Sequence, residues 1–332
     1  MFAVRQASRL CREVQQNISR DVLQKDDRSP VTVADFGSQA LVCQVLRDTF
    51  PDDPIIAEER AEALLKQENV ALLNRVVRHI RTIKPEADAD LTCSWISHGS
   101  ADTYADRFWT LDPVDGTKGF LRSEQYAIAL ALVEDGEIKV AALACPNLPL
   151  SISGTGDSGS LFWAIKGQGA YSAPLEGSSK ANRITVSATS QADLARFCES
   201  VEAGHSSHGE AASVAKLLGI TREPIRMDSQ AKYALVARGE ADIYLRLPTR
   251  PGYVERIWDH AAGSLIITEA GGTVTDVDGK ALEFNHGAGL AANRGIIATN
   301  GQLHDRVLDS IQTVYAQQVS TQPQEQSISA SL

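Results

Sequence analysis

The stretch Asp112-Pro113-Val114-Asp115-Gly116-Thr117-Lys118-Gly119 decides how the rest of the chain is read. It follows Phe108-Trp109-Thr110-Leu111, an apolar run that predicts a buried strand leading straight into Asp112. The strand therefore delivers two carboxylates three residues apart, with Pro113 stiffening the backbone between them. Gly116 permits a tight turn, and Thr117 stands where a helix can begin. Two hard carboxylates at one strand end can share a pair of divalent cations. The amides of a helix start can hold a phosphate oxygen. The same residues also suit an acidic turn with an Asp cap, so this stretch alone leaves both readings open.

Three more acidic positions share that setting. Glu58-Glu59 follows Ile55-Ile56-Ala57, a short buried strand after the turn Pro51-Asp52-Asp53-Pro54. Asp35 falls in the first turn of a helix that Thr32-x-x-Asp35 opens, a variant of the capping box, running to about Thr49. Asp259, in Trp258-Asp259-His260-Ala261-Ala262-Gly263, begins a helix whose small residues allow close packing. Each has a plain explanation on its own: a solvated pair at 58–59, a favourable helix dipole at Asp35. Four acidic sites, each at a strand end or a helix start, together make the pattern of an oxygen-ligand metal site.

Outward from these motifs, the first half reads as helices followed by a meandering, largely antiparallel sheet. Val4, Ala7, Cys11, Val14 and Ile18 form one apolar helical face within residues 1–24. Residues 60–107 read as mostly helical, then loop-like. Ala127–Val133 and Ile138–Ala144 flank a hairpin turn, and Ser160–Ile165 pairs with Ala170–Ser172 across another. Near residue 188 the character changes to alternating strands (Ile225–Met227, Ala241–Leu247, Thr273–Asp276, Ile296–Thr299) and helices (209–218, 229–238, 258–270, 302–317), an α/β pattern. The expected division is an α+β domain over 1–188 with most metal ligands, an α/β domain over 189–317, and a polar, Ser/Gln-rich disordered tail over 318–332.

The chain has 332 residues, 43% hydrophobic and 22% charged, with a net charge of −10. That charge argues against nucleic-acid or anionic-membrane partners, which need a positive surface. No apolar run approaches the ~18 residues of a membrane span, and the spaced apolar residues of the N-terminus do not form a secretory signal. Five scattered cysteines without a CxxC pair suit a reducing compartment and neither a disulfide nor a zinc framework. A cytoplasmic monomer acting on a small molecule is expected. An excess of carboxylates can meet a phosphate ester only by holding cations.

Asp-Pro-Val-Asp-Gly-Thr at 112–117 and Trp-Asp-His-Ala-Ala-Gly at 258–263 resemble the two signatures of the lithium-sensitive phosphatases related to inositol monophosphatase and fructose-1,6-bisphosphatase. Ser29-Pro30-Val31-Thr32 with Asp35, Phe50-Pro51 with Glu58-Glu59, Gly116 to Arg122, His205-Ser206-Ser207-His208, Asp228 to Tyr233 and Tyr244-Leu245-Arg246 resemble the 3′(2′),5′-bisphosphate nucleotidase branch, fungal and plant type. The resemblance covers about residues 1–315. It implies an α/β fold of the layered α/β/α/β/α sandwich type, with the active site at the junction of the two domains. It implies two or three Mg2+ ions held by Glu58, Asp112, Asp115, Asp259 and the Val114 carbonyl. Asp35 and Thr117 match the pair that orients and deprotonates the attacking water. Thr117 and the neighbouring Gly116, with Asp112, match contacts to the scissile phosphate. His205, Ser229, Lys232 and Arg246 match nucleotide contacts. The activity implied is removal of the 3′-phosphate from adenosine 3′,5′-bisphosphate and its sulfated form, a step of sulfur metabolism. The Asp228 to Lys232 and 205–208 segments argue against an inositol polyphosphate phosphatase. The intact acidic set argues against a nucleotide-binding regulator that has lost catalysis.

Overall fold

Every apolar run of the first half becomes a strand of one seven-stranded sheet whose strands lie in chain order: β1 (Ile55–Ala57), β2 (Arg107–Asp115), β3 (Ala127–Glu134), β4 (Glu137–Cys145), β5 (Ser160–Ile165), β6 (Gly169–Pro174) and β7 (Asn182–Ile184). The computed structural model describes residues 1–17, 29–153, 159–177, 180–201, 207–250 and 252–321. From β2 on, successive strands pair antiparallel; in the turn between β3 and β4, Asp135 and Gly136 both have positive φ, as a two-residue hairpin requires. β1 and β2 are the exception. They pair in parallel, Ile55 opposite Trp109 and Ala57 opposite Leu111, so the residues that follow them leave the sheet at the same end.

Strand alternation gives this sheet two apolar faces. Leu111, Ile128, Leu130 and Ala142 face a layer formed by α1 (Phe2–Gln16) and α2 (Ser29–Thr49), which contribute Val4, Leu10, Cys11, Val14 and Leu41. Two further helices, α3 (Val70–Arg81) and α4 (Ala89–Ser97), flank α2, and the short α5 (Thr117–Leu121) follows β2. Phe108, Ala129, Ala131, Leu143 and Phe162 point the other way, onto helices of the second half.

That half holds α6 (His208–Leu218), α7 (Ala231–Ala237), α8 (Ala261–Glu269) and α9 (His304–Thr321) around a five-stranded sheet of β8 (Phe197–Glu199), β9 (Ile225–Arg226), β10 (Ile243–Arg246), β11 (Thr273–Thr275) and β12 (Ile296–Thr299), in the order β11-β12-β10-β8-β9. Cys198, Tyr244, Ile296 and Ala298 on one face share the core of α7 and α8 with the large sheet. Phe197, Ile243, Leu245 and Ile297 on the other pack on Val214, Leu218, Val307 and Ile311 of α6 and α9. The layers run helix, sheet, helix, sheet, helix. α8 is in the middle, buried from Ala261 to Ile267, which is why it is apolar on all sides. Among the described residues no helix is long and apolar enough to cross a membrane.

Several expectations need correction. The second helix begins at Ser29, so Asp35 lies in its second turn and Thr32 is inside the helix, not at a cap. The helix expected from 258 is a 3-10 turn over Ile257–Asp259 followed by α8. Strands β7 and β8 have no apolar run long enough to announce them. Residues 318–321 continue α9 instead of opening a tail, and 322–332 lie outside the described residues, as do Ile18 and the rest of 18–28.

Candidate active site

The parallel pairing of β1 and β2 places Glu58 beside Asp112, because each follows its register partner, Ala57 or Leu111. Asp112 and Asp115 pose a harder problem. Residues three apart on a regular strand point to opposite faces. Here the register against β3 slips: Asp112 stands opposite Ala129 and Asp115 opposite Ala127, three steps on one strand against two on the other. The extra residue turns both carboxylates toward the same side, and both line one cleft. The bulge is braced where the Val114 amide donates to Asp112 Oδ1 (3.1 Å) and Ser38 Oγ donates to the Pro113 carbonyl (2.8 Å). Gly116 follows at φ +89, and a Cβ there would come within 2.9 Å of the Ser229 Cβ, so the turn needs glycine for both its torsion and its close approach.

The cleft measures about 610 Å³ and lies where the two halves of the chain meet. One wall carries Glu58, Asp112, Val114, Asp115, Gly116 and Thr117; the other carries Ser229, Lys232, Arg246 and Asp259. Ten of the twelve residues expected at the site thus come together. Asp35 is set behind the carboxylate wall, buried, within electrostatic reach of Glu58, Glu59 and Asp112. No hydrogen bond joins it to Thr117. His205 lies outside the described residues.

The carboxylate wall is electrostatically crowded. Asp112 is held well above the usual carboxylate range, by burial first and then by the charges of Glu58, Asp115, Asp259 and Asp35. Asp115 is pushed up to about 6 by burial and by Asp259, against the pull of Lys232, the Gln230 amide and Arg246. Glu58 keeps one side open to solvent yet is pushed up to about 8 by desolvation and by Asp259, Glu59 and Asp115. Asp35 is raised by burial and then by Glu59 and Glu58. Carboxylates that line one cleft and repel one another are the donor type a hard divalent cation takes, and the crowding is what such an ion would relieve. Among the described residues, three metal-ligating groups come within 4.8 Å of one another at Glu255, Asp259 and His260, a cluster that can coordinate a metal ion.

The opposite wall is built by the segment from Asp228 to Tyr233. Ser229 takes φ +68, outside the usual range for a side-chain-bearing residue, and its hydroxyl accepts from the Ala231 amide. The Lys232 ammonium, buried, donates to the carbonyls of Met227 (3.3 Å) and Ser229 (2.8 Å) and sits 5.3 Å from the Tyr244 ring centre. Burial lowers its pKa, and Asp115 counters part of that. Arg246, at the end of β10, lies 2.9 Å from Glu255 Oε2 and 3.4 Å from Asp259 Oδ2. Neither cation is an ordinary surface charge.

Two roles were not read from the sequence. Gln230 ties the signature segments to each other: its amide donates to Asp115 Oδ2 (2.5 Å), its side chain donates to the Trp258 carbonyl (2.8 Å) and accepts from the Gly263 amide (3.1 Å). Its place inside the Asp228 to Tyr233 motif was the available signal. Glu255 is 5% exposed and touches Arg246 and His260. Burial alone would raise its pKa, but the hydrogen bond and charge of His260, with Arg246, hold it below the usual value. A glutamate four residues before Asp259 carries no pattern that marks it as buried.

The model of the inositol monophosphatase family matches residues 2–316. The chain is 45% identical to a 3′(2′),5′-bisphosphate nucleotidase of Emericella nidulans, covering 94% of this chain and 96% of that one. It is 43% identical to one of Schizosaccharomyces pombe, over 94% and 93%, and 44% identical to one of Oryza sativa, over 95% and 93%. Among solved structures, an IMPase of Thermotoga maritima superposes with a TM-score of 0.62 at 21% identity, covering 95% of this chain and 96% of that one. CysQ of Bacteroides thetaiotaomicron does so with a TM-score of 0.59 at 20% identity, over 90% and 94%. At that identity the likeness is one of fold. The chain belongs to the inositol monophosphatase family, and it shares most of its length with the fungal and plant 3′(2′),5′-bisphosphate nucleotidases.

Proposed function

We propose that the protein hydrolyses the 3′-phosphate of adenosine 3′,5′-bisphosphate in a magnesium-dependent reaction, giving AMP and phosphate, and that 3′-phosphoadenosine 5′-phosphosulfate is a second substrate. The observation that carries this reading is the polarity of the cleft: crowded carboxylates on one wall, and on the other a buried lysine and a half-buried arginine. A substrate with two phosphates is met differently at its two ends. The phosphate to be cleaved lies against the acidic wall; the one that is kept lies against Lys232 and Arg246, whose donors suit a dianion. Ser229 and His205 are assigned to the nucleotide.

Glu58, Asp112, Asp115, Asp259 and the Val114 carbonyl would hold two or three Mg2+ ions, which when bound supply a water of lowered pKa and offset charge on the departing oxygen. Asp35 is assigned as the acceptor of the water proton, with the Thr117 hydroxyl between it and the water. Burial first, and then the charges of Glu59 and Glu58, hold Asp35 above the usual carboxylate range. Attack of water oxygen on phosphorus breaks the bond to the 3′-oxygen, which takes a proton from solvent as it leaves, while the water's own proton passes to Asp35. Such a reaction clears a by-product of sulfotransfer and belongs to sulfate assimilation, and we assign it to the cytoplasm and to a monomer.

A phosphate-release panel at millimolar magnesium tests the reading: adenosine 3′,5′-bisphosphate, its sulfated form, inositol 1,4-bisphosphate, inositol 1-phosphate and fructose 1,6-bisphosphate. The first two should be the best substrates, and millimolar lithium should inhibit. Preferential turnover of an inositol phosphate would replace the nucleotide reading, and phosphate release from none of them would leave a nucleotide-binding regulator.

A further inference from the structure

Behind Arg246 runs a chain of buried polar groups that makes no direct contribution to the cleft wall. Glu255 Oε2 lies 2.9 Å from Arg246 Nε and 3.2 Å from His260 Nε2; His260 Nδ1 lies 2.8 Å from the Tyr233 hydroxyl. His260 is 0% exposed and Tyr233 1%. An ionised glutamate only accepts, so His260 carries its proton on Nε2. Nδ1 pairs with the Tyr233 hydroxyl, which can donate or accept. Both ring nitrogens of His260 are thus engaged by protein groups. The far end of the chain of groups is fixed by packing: Tyr233 lies so close to α8 that a Cβ on Gly263 would come within 2.3 Å of its ring.

The near end faces a competition. The Arg246 guanidinium is also 3.4 Å from Asp259 Oδ2. A guanidinium and a carboxylate that meet alone form a two-pronged pair. That pair would tie up a cation meant for substrate and an acid meant for a metal. Glu255 occupies the Nε side and leaves Asp259 one contact with Nη2. We infer that Glu255, braced by His260 and Tyr233, is the positioning residue for Arg246: it keeps the guanidinium off Asp259 and turned to the retained phosphate of the substrate. The inference rests on the proposed reading of Arg246 as a contact for the 5′-phosphate.

The test compares wild type, Glu255→Gln, Arg246→Ala and the double variant. Glu255→Gln should raise KM for adenosine 3′,5′-bisphosphate about tenfold with little change in kcat. It should leave KM for adenosine 3′-monophosphate, which lacks the 5′-phosphate, within roughly twofold. The double variant should be no worse than Arg246→Ala alone. AMP binding by calorimetry carries the same comparison without turnover and should weaken about tenfold in Glu255→Gln. If Glu255→Gln does not fold, Tyr233→Phe decides, with a roughly threefold effect confined to the same ligands, the worth of one neutral hydrogen bond. Equal losses on both substrates, or losses that add to those of Arg246→Ala, would overturn the inference, as would wild-type protein that does not bind AMP. Wild type that binds AMP but releases no phosphate from the bisphosphate would sink the proposed reaction and leave the positioning role standing.

Discussion

Asp115 meets two opposed demands. It is a buried carboxylate pressed against other carboxylates, which costs stability, and its charge is one of those a cation would need. Asp115→Asn keeps the shape and can still accept from the Gln230 amide. Turnover at millimolar magnesium should fall by at least roughly 100-fold, while the melting temperature of the metal-free protein should stay level or rise, because a repulsion is removed. Near-normal turnover would break the assignment of Asp115 as a metal ligand. Lys232 calls for a different substitution. Because its ammonium holds two backbone carbonyls and its stem is buried, truncation to Ala damages structure and site together. Lys232→Met keeps the stem and removes the charge. It should weaken use of adenosine 3′,5′-bisphosphate by roughly ten- to a hundredfold, the worth of a charge-assisted contact, and affect adenosine 3′-monophosphate much less. Equal losses in the two assays would make Lys232 a structural residue.

At the scale of elements, the site depends on three joints: the parallel β1–β2 pair, the bulge in β2, and the crossing of α7 and α8. The third can be tested apart from catalysis. Gly263 lets Tyr233 of α7 lie against α8, where a methyl group would stand 2.3 Å from the ring carbon. Gly263→Ala should cost about 1–3 kcal/mol by overpacking, read as a lower urea midpoint at unchanged slope. A variant as stable as wild type would show that the two helices can move apart without cost. The small residues of Trp258 to Gly263 were readable as a close-packing helix start. What they pack against was not, since Tyr233 lies 30 residues away in sequence and meets Gly263 only once both helices are sandwiched between the sheets.

For the whole molecule, the arrangement of layers gathers negative charge from both halves into one cleft, and this links stability to pH. Asp112, Asp115 and Glu58 have folded-state pKa values raised above the ordinary carboxylate range, the last two to about 6 and about 8. The folded state therefore holds protons that the unfolded chain has already released, and stability falls as pH rises from the ordinary carboxylate value through those raised values. Metal-free protein should lose about 5 °C of melting temperature between pH 5 and pH 8. Millimolar magnesium should flatten that slope, since a bound cation stabilises the ionised carboxylates. A metal-free melting temperature that rises over the same interval would contradict the crowded-carboxylate account, and a slope indifferent to magnesium would contradict the metal assignment.

What the sequence determined by itself is local: the apolar runs of the first sheet, the alternation of strands and helices after residue 188, and the acidic residues at strand ends, all properties of short segments. The family, too, was legible from two short signatures, because close backbone turns and metal-binding chemistry constrain residue type position by position. Tertiary structure alone decided which faces meet. Glu58 and Asp112 are neighbours because two strands whose paired residues lie 54 apart in sequence meet in parallel register. Asp112 and Asp115 share a side because β2 slips one residue against β3, and a slip is a property of the pair and not of either strand. Lys232 is a buried cation and not a surface charge because the middle layer is covered on both sides. Glu255 gained its role only when folding placed it between Arg246 and His260, a distinction that a single glutamate in a loop cannot display.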